Sequence, residues 1–183
     1  MSKKIKLIIG STRQGRVGAP IAEWIVAQAK TAEYDLEVLD LQAINLPFFD
    51  APVPPAYMPT QTPEGKAWQE MIADGDAFVF LTPVYNQSIP APLKNAIDFL
   101  NAEWNQKPAA IVSYGYNAGG ANAAKHLTDI LNEVKMTVVE PKVAIQFGRD
   151  TFDQATGAFN DIEAALAEAK EPFIAALKAL NEA

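Results

Sequence analysis

The sequence predicts an α/β fold, a five-stranded parallel sheet covered by helices on both faces. Three observations predict it. Apolar runs of four to eight residues recur and stop at Gly, Ser or Thr. Segments with apolar residues at i, i+3, i+4 and i+7 lie between them. The runs are apolar almost throughout rather than alternating, which marks strands buried on both faces. The 183 residues are 49% hydrophobic and 20% charged, enough for a packed core in one domain spanning 1–183.

The elements follow in order. Ile5-Lys6-Leu7-Ile8-Ile9 is the first strand and stops at Gly10-Ser11; after a loop, Pro20 to Ala29 reads as helix. Leu36 to Leu39 is the second strand. Leu46 to Pro63 then holds six of the thirteen prolines, so it is a stiff irregular loop, either a surface insertion or one edge of a ligand or subunit contact. Ala77 to Leu81 is the third strand, and Leu93, Ala96, Ile97 and Leu100 trace a helix. Ala109 to Val112 is the fourth strand, followed by a helical stripe of Leu127, Ile130, Leu131 and Val134. Val138-Val139 with Val143 to Ile145 make the fifth strand. From Asn160 to Leu180, a stripe of Ile162, Leu166, Phe173, Leu177 and Leu180 is interrupted by Pro172, which either kinks that helix or begins a second one. Right-handed crossovers turn this alternation into a doubly wound three-layer sandwich, and five strands favour the flavodoxin-like order 2-1-3-4-5.

Composition excludes much chemistry. With no Cys there is no disulfide, thiolate nucleophile or iron–sulfur cluster, and the single His126 cannot build a multi-His metal centre. A formal charge of −7 argues against nucleic-acid binding, which needs clustered Lys and Arg. The apolar run after the charged first residues is too short for a signal peptide, and no run reaches membrane-spanning length, so the expectation is a soluble cytoplasmic protein.

In an open α/β sheet, ligands bind beyond the carboxyl ends of the strands at the switch point, here flanked by the loops after strands one, three and four. The first loop, Gly10 to Gly18, has three glycines, hydroxyls at Ser11 and Thr12, and a helix start behind it. It reads as a phosphate cradle. It is neither a P-loop nor GxGxxG, because Gly10 is followed by Gly15 and Gly18. Arg13 and Arg16 add charge-assisted contacts of roughly 1.5–3 kcal/mol each. The second, Thr82 to Asp98, combines backbone fixed by three prolines with Tyr85 and Asn86 and suits a planar heteroaromatic ring. The third, Ser113 to Gly120, brings two tyrosines and three glycines to the ring's other edge.

Gly10-Ser11-Thr12-Arg13 with Gly18, Pro83-Val84-Tyr85-Asn86-Gln87-Ser88-Ile89-Pro90 running into Leu93-Lys94-Asn95-Ala96-Ile97-Asp98, and Ser113-Tyr114-Gly115 with Gly119-Gly120 resemble the NAD(P)H-dependent FMN reductases of the flavodoxin-like superfamily. The resemblance runs from about Ile5 to Val139. It implies a bound FMN, reduction by NADH or NADPH, and two-electron transfer to flavins, quinones, azo compounds or metal oxyanions, in a homodimer or homotetramer. It places the phosphate on Ser11, Arg13, Arg16, Val17 and Gly18. The ring falls on Pro83, Val84, Tyr85 and Asn86, and its other edge on Ser113, Tyr114 and Gly115. Many relatives carry Arg at the positions of Asn122 and Thr128.

With the flavin carrying the redox chemistry, no residue is expected as a catalytic acid, base or nucleophile and no metal is expected. The alternative is a flavodoxin-type electron carrier without its own NAD(P)H oxidation. A metal-dependent hydrolase would need carboxylates in the three loops, and none occurs before Asp98. His126 is expected on a helix surface or interface, Trp24, Trp68 and Trp104 in core or subunit packing, and Asp74 with Asp76 as a chance pair.

Overall fold

The computed structural model describes residues 3–183. The parallel sheet runs in the order β2-β1-β3-β4-β5. Its first four strands are β1 (Ile5–Ile9), β2 (Leu36–Asp40), β3 (Ala77–Pro83) and β4 (Pro108–Gly115). β1, β3 and β4 are short runs buried between helical layers, whereas β2 lies at the sheet edge with only Leu39 buried. In β1, Ile5, Leu7 and Ile9 face one layer and Ile8 the other; in β3, Val79 and Leu81 oppose Phe78 and Phe80 in the same way.

One face is covered by α1 (Gly18–Thr31), α6 (Ile162–Leu166) and α7 (Lys170–Glu182). The other is covered by α3 (Pro63–Ala73), α4 (Ala91–Asp98) and α5 (Ala121–Glu133), with the short α2 (Leu41–Ile44) at its edge. The three tryptophans are core residues, and each indole N–H finds an acceptor: Trp24 on Glu163 (3.2 Å), Trp68 on the Ala96 carbonyl (2.8 Å) and Trp104 on the Ile97 carbonyl (3.1 Å).

The expected fifth strand is two. β5 (Thr137–Val138) pairs with Pro108 and Ala109 at the start of β4, and β6 (Val143–Gln146) pairs with Val112–Gly115 at its end. The gap contains Pro141, which has no amide hydrogen to give a ladder. The sheet therefore has six strands. Pro172 begins a second helix rather than kinking one: it is the third residue of α7, where the helix has no carbonyl to offer its nitrogen. Pro63 likewise opens α3, with Thr62 Oγ1 accepting from the Gly65 amide (3.1 Å), so the proline-rich loop ends one residue earlier than expected. Helix α3 buries only Gly65, Trp68 and Ile72, too sparse a stripe for periodicity to reveal.

Lys6 is the one charge inside the first apolar run. Its ammonium is buried and paired with Glu37 (2.7 Å) and Asp74 (3.1 Å) at the amino end of the sheet. Burial alone would lower its pKa; the hydrogen bonds it donates to Glu37 and Asp74 outweigh burial and raise it. Asp74 is thus a structural partner, far from the loops at the carboxyl end. Among the described residues, no helix is long and apolar enough to cross a membrane.

Candidate active site

The loops after β1, β3 and β4 meet at the carboxyl edge of the sheet, tied by short-range contacts. In the first loop, the Gly10 amide donates to the Leu81 carbonyl (2.9 Å), which starts the chain's turn away from the sheet. Gly15 has φ 62°, and a Cβ there would lie 2.2 Å from the Ala155 carbonyl oxygen. Gly18 opens α1, and a Cβ there would lie 2.6 Å from the Tyr114 hydroxyl. Val17, at the N-cap, offers no side-chain acceptor. Among the described residues, the amides of Arg16, Val17, Gly18 and Ala19 have no protein acceptor. Uncapped amides at a helix start form an anion cradle.

The two arginines of this loop differ. Arg13 is exposed and folds over its own loop, Nη1 and Nη2 donating to the carbonyls of Gln14 (3.0 Å) and Gly15 (2.9 Å). Arg16 is buried; Nη1 donates to the Ser11 carbonyl (2.9 Å) and Nη2 pairs with Asp40 at the end of β2. Asp40 also accepts from the Gln42 amide (3.0 Å), and Gln42 Nε2 reaches the Thr12 carbonyl (3.2 Å). The cradle is thus held from behind by β2 and α2.

The second loop closes as a two-residue reverse turn. The amide of Tyr85 donates to the Ser88 carbonyl (2.8 Å), the amide of Ser88 to that of Tyr85 (3.0 Å), and Asn86 and Gln87 have φ 48° and 71°. Two positive φ values define a type I′ turn, in which Asn is favoured first and Gly second. Gln87 occupies the glycine position, held by a hydrogen bond from Asn122; one helical turn further on, His126 Nδ1 and Ser88 Oγ share a bond of 3.1 Å. His126 is therefore an exposed helix residue that supports the turn. Tyr85 Oη and Ser11 Oγ share a bond of 2.8 Å that joins the second loop to the first. The Val84 amide donates to the Tyr114 carbonyl (3.3 Å), joining the second to the third.

A cavity of about 290 Å³ opens between these loops. Nine of the twelve residues expected from the sequence line it: Ser11, Arg13, Arg16, Val17, Pro83, Val84, Tyr85, Tyr114 and Gly115. The other three support its wall. Gly18 makes room for the Tyr114 hydroxyl, Asn86 turns the second loop, and Ser113 Oγ donates to the Gly119 carbonyl (2.7 Å) and fixes the third. Burial pushes the Tyr114 phenol well above its ordinary pKa, Tyr85 adds to the rise, and Ser11 opposes it.

Apart from Tyr116, an aromatic of the third loop, the roof lies outside the sequence expectation. Tyr116, Phe147, Phe152 and Gln154 complete the lining. Phe147 packs edge-on to Phe152 (5.4 Å) and Phe159 (5.7 Å), and Tyr116 stacks parallel to Phe152 (6.3 Å, 5°). The segment is pinned by Asp153, whose Oδ1 accepts from the amides of Ala155 (3.0 Å) and Thr156 (2.7 Å) and from the Thr156 hydroxyl (2.8 Å). Three of the chain's nine phenylalanines fall within residues 147–159, immediately after the last strand, and that density was the available signal.

The model of the family described as NADPH-dependent FMN reductase matches residues 3–150. The chain belongs to that family. An NAD(P)H-dependent FMN reductase from Nectria sp is 38% identical over 193 residues, covering 98% of this chain and 96% of the relative. A quinone reductase from Escherichia coli (strain K12) is 33% identical over 179 residues, covering 85% of this chain and 89% of the relative. The flavoenzyme NAD(P)H:(acceptor) oxidoreductase FerB from Paracoccus denitrificans shares the fold, with TM-score 0.71 over 96% of this chain and 97% of that one at 24% identity. The architecture is flavodoxin-like, and this member of the family is an oxidoreductase.

Proposed function

We propose that the chain is an FMN-containing, NAD(P)H-dependent reductase that works by ping-pong two-electron transfer to flavins, quinones, azo compounds or similar small acceptors. The observation that carries this reading is the convergence of nine expected residues, from three loops far apart in sequence, on one cavity. The residues suit FMN. The unpartnered amides of Arg16 to Ala19, with Ser11 and Arg13, match a phosphate, and Pro83, Val84, Tyr85 and Gly115 present a flat, largely apolar wall to a ring.

The chemistry FMN supplies when bound is uptake of a hydride from the reduced nucleotide and delivery of two electrons to an acceptor. The chain's own residues hold and orient. Arg16 keeps the cradle in shape through Asp40 and the Ser11 carbonyl, and Tyr85 fixes the second loop against Ser11. Tyr114 is protonated at neutral pH, as an ordinary tyrosine is, and burial raises its pKa further, so it offers a neutral phenol beside the helix start. The aromatic roof excludes water from one side of the cavity. No side chain has to act as acid, base or nucleophile.

The name of the E. coli relative supports quinones as one acceptor class. The reading includes a single domain over 1–183, with α7 packed against α1, β3 and β4. It also includes a cytoplasmic homodimer or homotetramer, supported by Phe48 and Tyr57, 81% and 85% exposed on the proline-rich loop. The test is a visible spectrum of purified protein followed anaerobically as NADH and then NADPH is added, with a quinone afterwards. A flavin spectrum that bleaches with nucleotide and returns with quinone is expected. Colourless protein that takes up no FMN overturns the reading.

A further inference from the structure

The chain has three arginines against twelve lysines, and all three arginines gather at this one edge of the sheet. Arg13 and Arg16 line the cavity. Arg149 lies in the recess next to it, about 520 Å³, which shares Tyr116 and Phe147 with the cavity. No lysine lines either space.

Their availability differs. Arg16 is taken up by Asp40 and the Ser11 carbonyl, and Arg13 by two carbonyls of its own loop. Arg149 is exposed, and among the described residues its guanidinium has no carboxylate or carbonyl partner. It sits 5.5 Å above the ring of Tyr116. That ring is braced by its parallel stack on Phe152, and its hydroxyl bonds Gln154 (3.3 Å). A free guanidinium held over a braced aromatic ring, in a protein of net charge −7, is a place for a phosphate carried by a planar group.

We propose that Arg149 and Tyr116 form the subsite for the phosphate-bearing half of the pyridine nucleotide. The inference rests on the NAD(P)H-dependent reading above. With its nicotinamide end in the cavity, the nucleotide must lead its adenosine phosphates out over a rim. The first-loop rim carries the cradle and its occupied arginines, which leaves the rim formed by Tyr116 and Phe147, with Arg149 beyond it. The phosphate is either the pyrophosphate, common to both nucleotides, or the 2′-phosphate of NADPH.

Calorimetric titration of the FMN-loaded protein with ADP and with adenosine 2′,5′-bisphosphate tests this. Loss of a charge-assisted phosphate contact in Arg149→Ala should weaken binding by about tenfold or more. Weakening of both fragments identifies the pyrophosphate as the ligand; weakening of the 2′,5′-bisphosphate alone identifies the 2′-phosphate. Raising salt should weaken both the wild-type affinity and the nucleotide KM more than in the variant. Arg149→Lys, which keeps the charge and loses the planar fork, should fall between and serves as the second variant. The proposal is overturned if neither fragment binds the wild-type protein, if both bind Arg149→Ala as tightly as wild type, or if the variant instead releases FMN. The first two outcomes leave flavin binding and its reduction, read from the spectrum, intact.

Discussion

Arg13 and Arg16 stand three residues apart in one loop, and their surroundings give them different work. Arg13 is solvent-exposed, so its removal takes a charge from the cradle and little from the fold. Arg16 is buried, and its removal strands Asp40 and frees the Ser11 carbonyl. Breaking a buried pair from one side typically costs about 3–5 kcal/mol; Asp40 is partly exposed, which places Arg16→Ala near about 3 kcal/mol. At ~2–4 °C per kcal/mol for a chain of this size, Arg16→Ala should melt roughly 6–12 °C lower. Arg13→Ala should melt near wild type while losing FMN on dialysis. Melting curves with flavin content after dialysis check both, and equal melting of the two variants would show that the Asp40 pair does not hold the loop. Both arginines were legible as residues of the first loop, and both line the cavity. The division between them was not, because Asp40 is 24 residues further along the chain and becomes a neighbour only once β2 pairs with β1.

At the scale of elements, the roof segment is the part that sequence reasoning did not reach. The resemblance ends near Val139, and the twelve expected site residues end at Gly115. Residues 150–160 are held by backbone bonds such as Asp153 N to the Ala158 carbonyl (2.8 Å) and Asn160 N to the Thr151 carbonyl (3.0 Å), and at their tip by one carboxylate. Three hydrogen bonds, first the Thr156 amide, then the Thr156 hydroxyl, then the Ala155 amide, hold the Asp153 carboxyl below its ordinary pKa. A depressed carboxylate stabilises the folded loop fully above its unfolded pKa of about 3.9, and that contribution fades as pH falls through the lower folded value. The roof should therefore be unchanged from neutral pH down to about 5 and loosen below about 4. Asp153→Ala should show the loosened state already at pH 7, as faster hydrogen exchange at the amides of 153–158 with β1, β3 and β4 still protected. Unaltered exchange in that segment would place the ordering elsewhere, in the packing of Phe152 on Phe159. The divided β5 and β6 escaped for a related reason: Val138-Val139 and Val143 to Ile145 are both apolar, Pro141 between them was the one visible break, and their separate partners on β4 are set only when the sheet forms.

For the whole molecule, the strand order was legible because strand–helix alternation and right-handed crossovers leave few topologies, and the order in turn dictates which loops meet. That assembly has a thermodynamic consequence. Ser11, Arg13, Arg16, Val17, Pro83, Val84, Tyr85, Tyr114 and Gly115 face a common cavity only when β1, β3 and β4 lie side by side, so the unfolded chain has no such cavity. A ligand that binds the folded state alone stabilises it by about 2.7 kcal/mol at a hundredfold excess over its Kd. For a chain of this length that corresponds to a rise in Tm of roughly 5–11 °C. Riboflavin has the same ring and no phosphate, so at matched concentration it should give a clearly smaller rise, the difference reporting the amides of Arg16 to Ala19 together with Arg13. Repeating the pair on Arg13→Ala should narrow that difference from the FMN side. Equal shifts from FMN and riboflavin in the wild-type protein would remove the phosphate from the first loop, and no shift from either would remove the flavin from the cavity.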